Sequence, residues 1–314
     1  MKICGFSFVR NGDKLYYPVT ESIISILPIC HEFIIAVGKG DDDDRTRDKI
    51  AAIGDPKIKI IDTEWEEKYY QRGIINAMQT DIAQQACSGD WLFYVQADEV
   101  VHEKYLPVIQ ARCEELWSRQ EVEGLLFRYK HFWGDYDHYH GGHGWYPFEI
   151  RIIRNLPTIH SFESAQSFRH FEPYENPRQG YGTRKLKVAR VDAEIYHYGW
   201  VRPPHLMQNK RKALDTLHWG RKRAEQYYDQ APSYFDYGPL NRLKRFKETH
   251  PRVMQERIIQ LDWQDKLQYA GRPLKSREPH KHERLKYRFI SFLERMLGGR
   301  QIGGFKNYYL LKGI

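Results

Sequence analysis

Residues 89–99 read Gly-Asp-Trp-Leu-Phe-Tyr-Val-Gln-Ala-Asp-Glu, a short apolar run that ends in two adjacent acids. The run from Trp91 to Val95 is typical of a buried β-strand, and the acids follow at its carboxyl end. Carboxylates in that position can hold a hard divalent cation, which neutralises a diphosphate leaving group. The alternative is a surface turn with two incidental acids, and this stretch alone does not decide between them.

Three more apolar runs precede this stretch, and helical patterns separate them. The runs cover residues 3–9, 33–37 and 58–61. The helical patterns follow Pro18, pass through Ile50, and step along Ile74, Met78 and Ile82. Strands that alternate with helices predict a parallel sheet, and ligands bind such sheets at the carboxyl ends of the strands. We therefore expect three segments to lie near one another: Phe8–Asn11, Gly38–Asp44 and Gln96–Glu99.

The pattern changes after residue 123, where strand-like runs are separated by loops rather than by helices. These runs cover residues 124–132, 148–153, 186–191 and 193–198. Beyond residue 203 the chain has the pattern of helices with basic faces. We therefore predict two parts, a sheet domain over residues 1–202 and a basic helical extension over residues 203–314.

The loop over residues 134–147 is polar and rich in glycine and histidine. Its candidate zinc ligands are Asp135, Asp137, His138, His140 and His143. Their spacing matches no closed zinc site, and no cysteine accompanies them. A mobile loop that contacts an acceptor is the better interpretation, because loops of this length in a compact domain are usually functional.

The charge of the chain is uneven. It carries 49 basic and 41 acidic residues, a net charge of +8, and the excess lies in the C-terminal part. This favours an anionic partner (membrane lipid, a phosphate-bearing substrate or nucleic acid), with a merely solvated basic face as the alternative.

Residues 280–300 form a basic amphipathic pattern whose apolar side holds Leu285, Phe289, Phe292, Leu293 and Met296. Such a pattern predicts peripheral contact with an anionic membrane surface. The alternative is that the apolar side packs on the sheet domain, as in most amphipathic helices.

The cysteines and the N-terminus indicate a cytoplasmic protein. The four cysteines are spread out without a Cys-x-x-Cys pair, so neither a zinc knuckle nor a disulfide framework is expected. The N-terminal segment reaches Arg10 too soon for a signal peptide, and no apolar stretch approaches the ~20 residues of a transmembrane helix. We expect a cytoplasmic protein with peripheral contact to the inner face of the cell membrane.

The stretch 89–99 resembles the GDW-xxx-LDADE signature of family 2 glycosyltransferases, which have the GT-A fold. Segments Ser7–Asn11 and Glu32–Thr46 resemble the first two nucleotide-contacting strand ends of that family. Residues 145–155, 165–169 and 195–201 resemble a bacterial subgroup that has WY-x-x-EIRVIRN, AQ-x-FR and IYHYGWV segments. The resemblance implies an α/β fold class: a GT-A-like, mostly parallel sheet flanked by helices, with a C-terminal helical extension.

The resemblance also implies a reaction and its partners. The donor is a nucleotide-diphospho sugar, the acceptor is a glycan or a lipid-linked molecule, and transfer is inverting and dependent on Mn²⁺ or Mg²⁺, with a role in surface glycan assembly. The implied nucleotide-binding residues are Phe8, Val9, Arg10, Asn11, Gly38, Gln96 and Ala97. The implied metal ligands are Asp98 and His197, although a buried structural role for His197 is an equal alternative.

Two positions depart from the pattern of the family. Gln96 replaces the first aspartate of the aspartate-x-aspartate motif, which leaves Asp98 to bind the cation nearly alone on this loop. Gly38 replaces the aspartate on the side of the base, so the identity of the base is open.

A carboxylate must deprotonate the acceptor hydroxyl in an inverting transferase. The resemblance implies that this carboxylate follows the WY-x-x-E segment, so Glu163 is the first candidate and Glu149 the second, with a structural ion pair to Arg151 as the alternative role of Glu149. Two other functions compete with glycosyl transfer. A nucleotidyltransferase would also bind a nucleotide and a metal on an α/β sheet, and a nucleic-acid-binding protein would explain the basic C-terminal half. The acids at the sheet edge disfavour nucleic acid, which we do not expect as a partner.

Overall fold

The computed structural model describes residues 1–274 and 277–314. It has an α/β architecture in which helices flank a large sheet, so the predicted fold class is confirmed. The helices are α1 (Val19–Ile26), α2 (Thr46–Ala51), α3 (Ile74–Gln85), α4 (Leu106–Glu115), α5 (Pro204–Trp219), α6 (Arg221–Tyr228), α7 (Gln255–Ile259) and α8 (Leu285–Met296). The strands are β1 (Ile3–Val9), β2 (Glu32–Gly38), β3 (Ile58–Thr63), β4 (Trp91–Tyr94), β5 (Glu99–Val101), β6 (Gly124–Trp133), β7 (His138–His140), β8 (Phe148–Arg154), β9 (Ile159–Phe162), β10 (Ser167–Phe171), β11 (Thr183–Trp200), β12 (Lys244–Arg245) and β13 (Tyr308–Leu310).

The first four strands are parallel neighbours in the order β3-β2-β1-β4. Their central members are apolar runs that are buried along nearly their whole length, which is typical of parallel strands covered on both faces. The strands predicted at residues 3–9, 33–37, 58–61 and 91–95 are thus confirmed. The carboxyl ends of β1, β2 and β4 meet at one edge, where the sequence predicted a binding site.

The sheet is mixed beyond β4. Strand β8 pairs antiparallel with both β4 and β6, and β6 runs parallel to β11. The runs predicted at 124–132 and 148–153 are confirmed as β6 and β8. The two runs predicted at 186–191 and 193–198 are instead one strand, because a pairing irregularity between Arg190 and Glu194 lets β11 continue without a turn.

The C-terminal region also contributes to this sheet. The extension is helical through α5 and α6, as predicted, but β13 adds to β11 in a parallel register. One cluster of buried apolar side chains joins Tyr198 on β11 to Met207 on α5 and to Trp263. Side chains from before and after residue 202 thus share one cluster. The division of the chain into two parts at that residue stays a prediction.

Two further sequence expectations concern cysteines and membrane segments. Cys4 on β1 and Cys87 after α3 form a disulfide, which spacing did not indicate because only the folded sheet brings them together. In the described ranges, no helix is long and apolar enough to cross a membrane.

Candidate functional site

The loop Gln96–Glu99 connects β4 to β5 at the edge where β1 and β2 also end. Two serine hydroxyls hold its backbone in place. Ser7 donates to the carbonyl oxygen of Val95 at 2.6 Å, and Ser22 donates to the carbonyl oxygen of Gln96 at 3.0 Å. The loop is therefore fixed to β1 and α1 independently of its acidic side chains.

Glu99 is satisfied entirely within the protein. Its side chain is fully buried, and the guanidinium of Arg151 donates to both of its carboxylate oxygens at 2.8 Å. The hydroxyl of Tyr129 donates to one of these oxygens at 2.7 Å, and the backbone N–H of Gln96 donates to the other at 3.1 Å. Because its oxygens are used in these contacts, Glu99 sets the shape of the loop rather than binding a ligand.

Asp98, the neighbouring residue, has partners of a different kind. It is buried, so the alternative of an incidental surface acid does not hold. Its Oδ2 accepts a hydrogen bond from Nζ of Lys210 at 2.9 Å and lies 3.7 Å from Nε2 of His197. Burial acts to raise the pKa of Asp98, but Lys210 and His197 hold it well below the usual value. The fold thus brings the two predicted metal ligands together.

A second histidine orients His197. Burial lowers the pKa of His131 well below its usual value, so this ring is neutral. Its Nε2 lies 2.8 Å from the carbonyl oxygen of Tyr146, which can only accept, so Nε2 carries the hydrogen and Nδ1 is the acceptor. Nδ1 of His197, 2.9 Å from Nδ1 of His131, must then donate. A protonated His197 therefore directs its second N–H, on Nε2, at Asp98, and when a cation replaces that proton the lone pair is on the same atom.

Two buried cations lie beside Asp98. Nζ of Lys210 and Nη2 of Arg202 both donate to the carbonyl oxygen of Gly199, at 2.7 and 3.2 Å. Both also lie over the ring of Tyr17, at 4.8 and 4.7 Å from its centroid. Burial lowers the pKa of Lys210 to about 8, although Asp98 acts to raise it.

Arg202 is held by carbonyl oxygens rather than by a carboxylate. Its side chain is fully buried, and its other terminal nitrogen donates to the carbonyl oxygen of Leu15 at 2.6 Å. Its Nε has no hydrogen-bond partner in the part of the chain that the structure describes. Among the described residues Lys210 forms one salt bridge, with Asp98, and Arg202 forms none, which leaves an excess of buried positive charge and an unused donor. Such a place suits an anion.

The predicted nucleotide-binding residues surround the ends of β1 and β2. Nε of Arg10 donates to the carbonyl oxygen of Lys39 at 2.8 Å, and the side-chain oxygen of Asn11 accepts from the N–H of Asp41 at 2.8 Å. These contacts join the two loops. The remaining predicted residues lie on the same edge, with Phe8 and Gln96 half-buried and the others buried: Val9, Gly38 and Ala97.

Trp65, which follows β3, lies directly over Gly38. A side chain at position 38 would clash with the indole nitrogen of Trp65, so glycine is required for this close approach. The centroid of the Phe8 ring lies 6.0 Å from that of Trp65. The indole N–H of Trp65 is buried and has no acceptor among the described residues. The indole therefore occupies the space next to Gly38 at the end of β2.

Glu163 lies on a strained turn next to the Gln96–Glu99 loop. The φ angles of Glu163 and Ala165 are 58° and 56°, a left-handed conformation that non-glycine residues rarely adopt. The side-chain amide of Gln96 donates to the carbonyl oxygen of Ala165 at 2.9 Å, which ties this turn to the loop. The carboxylate of Glu163 is 39% exposed, and its nearest cation is Nη2 of Arg178 at 4.0 Å.

Glu149 is closed off from solvent. It is 4% exposed and accepts hydrogen bonds from the hydroxyl of Ser167 at 2.7 Å and from the N–H of Ile150 at 3.1 Å. Burial raises the pKa of Glu149. The ion pair with Arg151 that the sequence left open is not formed, because Arg151 binds Glu99. Of the two candidate bases, only Glu163 has a carboxylate that solvent reaches.

A divalent cation fits the Asp98–His197 pair as a site with two protein ligands. A carboxylate oxygen and an imidazole lone pair face each other, which is a donor set that suits Mn²⁺. Among the described residues, no group of three or more His, Cys, Asp or Glu side chains is arranged for a metal. Further ligands would have to come from substrate and water, and Lys210 shares the carboxylate oxygen that the cation would use.

The histidine-rich loop is engaged in pairwise contacts. His138 lies 2.9 Å from a carboxylate oxygen of Asp135, and His143 lies 2.9 Å from one of Glu294. The ring of His140 stacks on Trp145 at 4.3 Å. These histidines thus bind separate partners, and the role of the loop in acceptor binding stays a prediction.

Comparison with known proteins gives matches only among solved structures. No protein-family model and no curated protein matches the chain. TarS 1–349 from S. aureus is 17% identical over 42% of this chain and 36% of that chain, with a TM-score of 0.31. The same fragment in complex with UDP is 13% identical over 72% of this chain and 69% of that chain, with a TM-score of 0.38.

Two other structures match over a similar fraction of the chain, 40% and 41%. Mannosyltransferase PcManGT from Pyrobaculum calidifontis, in complex with GDP-Man and Mn²⁺, is 15% identical over 40% of this chain and 34% of that chain, with a TM-score of 0.30. Glucosyl-3-phosphoglycerate synthase from Mycobacterium tuberculosis, in complex with Mn²⁺, UDP and phosphoglyceric acid, is 16% identical over 41% of this chain and 42% of that chain, with a TM-score of 0.28. The aligned part spans about a third of the first TarS structure, 36% of its length.

Four residues at this site were missed by sequence reasoning: Trp65, His131, Arg202 and Lys210. The only signal for Trp65 was its position just beyond the third apolar run, where a parallel sheet binds ligands. Arg202 and Lys210 sit in a region rich in basic residues, so their charge alone did not distinguish them.

Proposed function

We propose that this protein is an inverting glycosyltransferase that uses a nucleotide-diphospho sugar. The observation that carries the proposal is the convergence of Asp98 and His197 with the cations Lys210 and Arg202 at the carboxyl ends of the parallel strands. A diphosphate is the anion that this arrangement fits, because it can meet a bound cation and two buried donors together. The resemblance of residues 89–99 to the family 2 signature supports the same function.

We infer the position of the donor from the residues at this edge. Its diphosphate would approach Lys210, with the buried charge of Arg202 nearby, and its base would lie toward Phe8 and Trp65. An aromatic platform with a free indole N–H suits a nucleobase, which offers both a flat face and acceptor atoms. The identity of the base stays open, since Gly38 removes the aspartate that the related family uses there.

The proposed transfer step uses an exposed carboxylate, Glu163, on the turn that Gln96 joins to the Gln96–Glu99 loop. Glu163 takes the proton of the acceptor hydroxyl as the hydroxyl oxygen bonds to the anomeric carbon. The bond between that carbon and the diphosphate oxygen breaks, and the leaving diphosphate takes the electron pair. Lys210 and Arg202 stabilise the charge that develops on it.

Asp98 and His197 would hold the divalent cation, with His131 keeping the lone pair of His197 directed toward it. When bound, the cation supplies Lewis-acid neutralisation of the diphosphate. The contact of His131 with His197 matters because the hydrogen bond at one imidazole nitrogen determines which nitrogen can act as a ligand.

A panel of nucleoside diphosphates tests the proposal. Calorimetry with UDP, GDP, ADP and CDP, each with Mn²⁺ or with EDTA, should show selective binding of one base that strengthens with Mn²⁺. The matching nucleotide sugar should then be hydrolysed slowly or transferred. Absence of binding to any nucleotide in either condition would refute glycosyl transfer, and retention on heparin in that case would favour a nucleic-acid-binding protein.

A further inference from the structure

Helix α8 presents its apolar side to solvent. Leu285, Phe289, Phe292 and Met296 are spaced so that they share one helical face, and their exposed fractions are 78%, 63%, 51% and 73%. None of the residues of α8 is buried. An amphipathic helix normally covers its apolar stripe against the core, so this face lacks the packing that the pattern predicts.

The helix is instead held by its polar side. The hydroxyl of Ser291 accepts from the N–H of His143 at 2.8 Å, and the carboxylate of Glu294 lies 2.9 Å from the ring of the same histidine. Tyr287 packs against Gly144. Because Tyr287, Ser291 and Glu294 lie opposite the apolar stripe, these contacts fix the helix with that stripe pointing outward.

Basic side chains border the stripe. A groove of about 1040 Å³ separates part of α8 from the segment 241–244, and its cationic lining residues are Arg242, Lys244, Arg288 and Arg295. Within the described part of the chain, no aspartate or glutamate lines this groove. The surface therefore combines apolar side chains with unopposed positive charge.

We propose that this surface, the stripe of α8 with the adjoining basic groove, docks on an anionic lipid bilayer. The stripe enters the boundary between headgroups and acyl chains, and the arginines meet the lipid phosphates. A second copy of this chain fits the surface poorly, because symmetric contact would bring arginines against arginines without a carboxylate between them. This proposal stands independently of glycosyl transfer.

The contacts of α8 connect the docking surface to the candidate site. The loop that anchors the helix at His143 and Gly144 continues directly into Trp145 and Tyr146. The carbonyl oxygen of Tyr146 fixes the ring of His131, which in turn orients His197. Docking would therefore place the lipid surface near the segment 143–146, which leads from α8 to the candidate site.

Vesicle sedimentation with the full chain tests the proposal. The protein should pellet with phosphatidylcholine–phosphatidylglycerol vesicles at least about tenfold more strongly than with phosphatidylcholine alone, and salt should weaken this binding. The double variant Phe289→Ser/Phe292→Ser should lose binding at unchanged melting temperature, since both side chains are exposed. The matched control is Ile259→Ser on α7, an 83% exposed apolar residue elsewhere, which should bind like the unmodified protein.

A second pair of variants separates the location of the charge from its amount. Arg288→Gln/Arg295→Gln should weaken binding to anionic vesicles about tenfold, whereas Lys222→Gln/Lys266→Gln, which removes the same charge from other exposed positions, should not. Equal effects of the two pairs, or no binding at low salt, would overturn the proposal. Light scattering that shows a dimer dissolved by Phe289→Ser/Phe292→Ser, without vesicle binding, would assign the surface to a second copy instead.

Discussion

Acidic side chains have different partners in the buried interior of the sheet and at its carboxyl edge. In the interior, the side chains of Glu149 and of Glu99, which is buried although its loop lies at the edge, receive hydrogen bonds from neighbouring residues of the protein. At the edge, Asp98 pairs with Lys210 beside Arg202, a cation without a salt bridge among the described residues, and Glu163 retains an exposed carboxylate. The partners of an acidic residue, rather than its place in a motif, therefore distinguish a structural role from a functional one.

The largest expected effect compares the two candidate bases. Glu163→Gln keeps the size of the side chain but removes the proton acceptor, so the release of nucleoside diphosphate from the donor should slow by roughly two to four orders of magnitude. Donor affinity from calorimetry should hold. Glu149→Gln should leave the rate within about a factor of ten, because its carboxylate is closed off from the acceptor. If Glu149→Gln slowed the reaction and Glu163→Gln did not, Glu149 would be the general base.

The next effect concerns the interior carboxylate Glu99. Arg151→Met leaves this buried carboxylate without its cation, so the free energy of unfolding should fall by about 3–5 kcal/mol. Chemical denaturation measures the change, and Arg128→Met, at an exposed arginine on β6, is the control that should stay within about 0.5 kcal/mol. Glu99→Gln/Arg151→Met should recover part of the loss. If Arg151→Met were as stable as the control Arg128→Met, Arg151 would not stabilise the buried carboxylate of Glu99.

At the edge, Asp98→Asn should weaken the affinity for Mn²⁺ in the presence of nucleotide by about a hundredfold, because one of two protein ligands loses its charge. Calorimetric titration with Mn²⁺ measures this. His131→Asn, which leaves the ligands in place but changes the partner of His197, should cost about tenfold. If Asp98→Asn binds the cation normally, the predicted metal site is wrong, and Lys210 with Arg202 would carry the diphosphate alone.

Sequence reasoning predicted the interior better than the edge, and the reason is physical. Strands β1, β2 and β4 are continuous apolar runs, and burial on both faces leaves few other structures for such runs to form. The meeting of their carboxyl ends follows from parallel pairing alone. By contrast, β11 crosses a pairing irregularity that spacing does not reveal, so it was predicted as two strands.

The partners of the edge residues depend on contacts between distant parts of the chain. Asp98 meets Lys210 across 112 residues, and the lysine resembles any other on a basic helix until α5 packs against the sheet. His131 joins the site only because β6 and β11 are neighbours, which places it opposite His197. The exposed stripe of α8 is a similar case, since the sequence indicates an apolar face but not whether the fold covers it.

The smallest effect is expected for Lys210, and it separates the roles of the two cations that donate to the carbonyl oxygen of Gly199. Lys210→Met preserves the length of the side chain and removes its charge, so binding of the selected nucleoside diphosphate in EDTA should weaken about tenfold. Affinity for Mn²⁺ should rise in the same variant, because the ammonium no longer shares the carboxylate oxygen or repels a nearby divalent ion. Lys222→Met on α6 is the exposed control and should change neither affinity. A parallel fall of both affinities would show that Lys210 supports the cation site instead of competing with it, and the diphosphate would then depend on Arg202 and the metal.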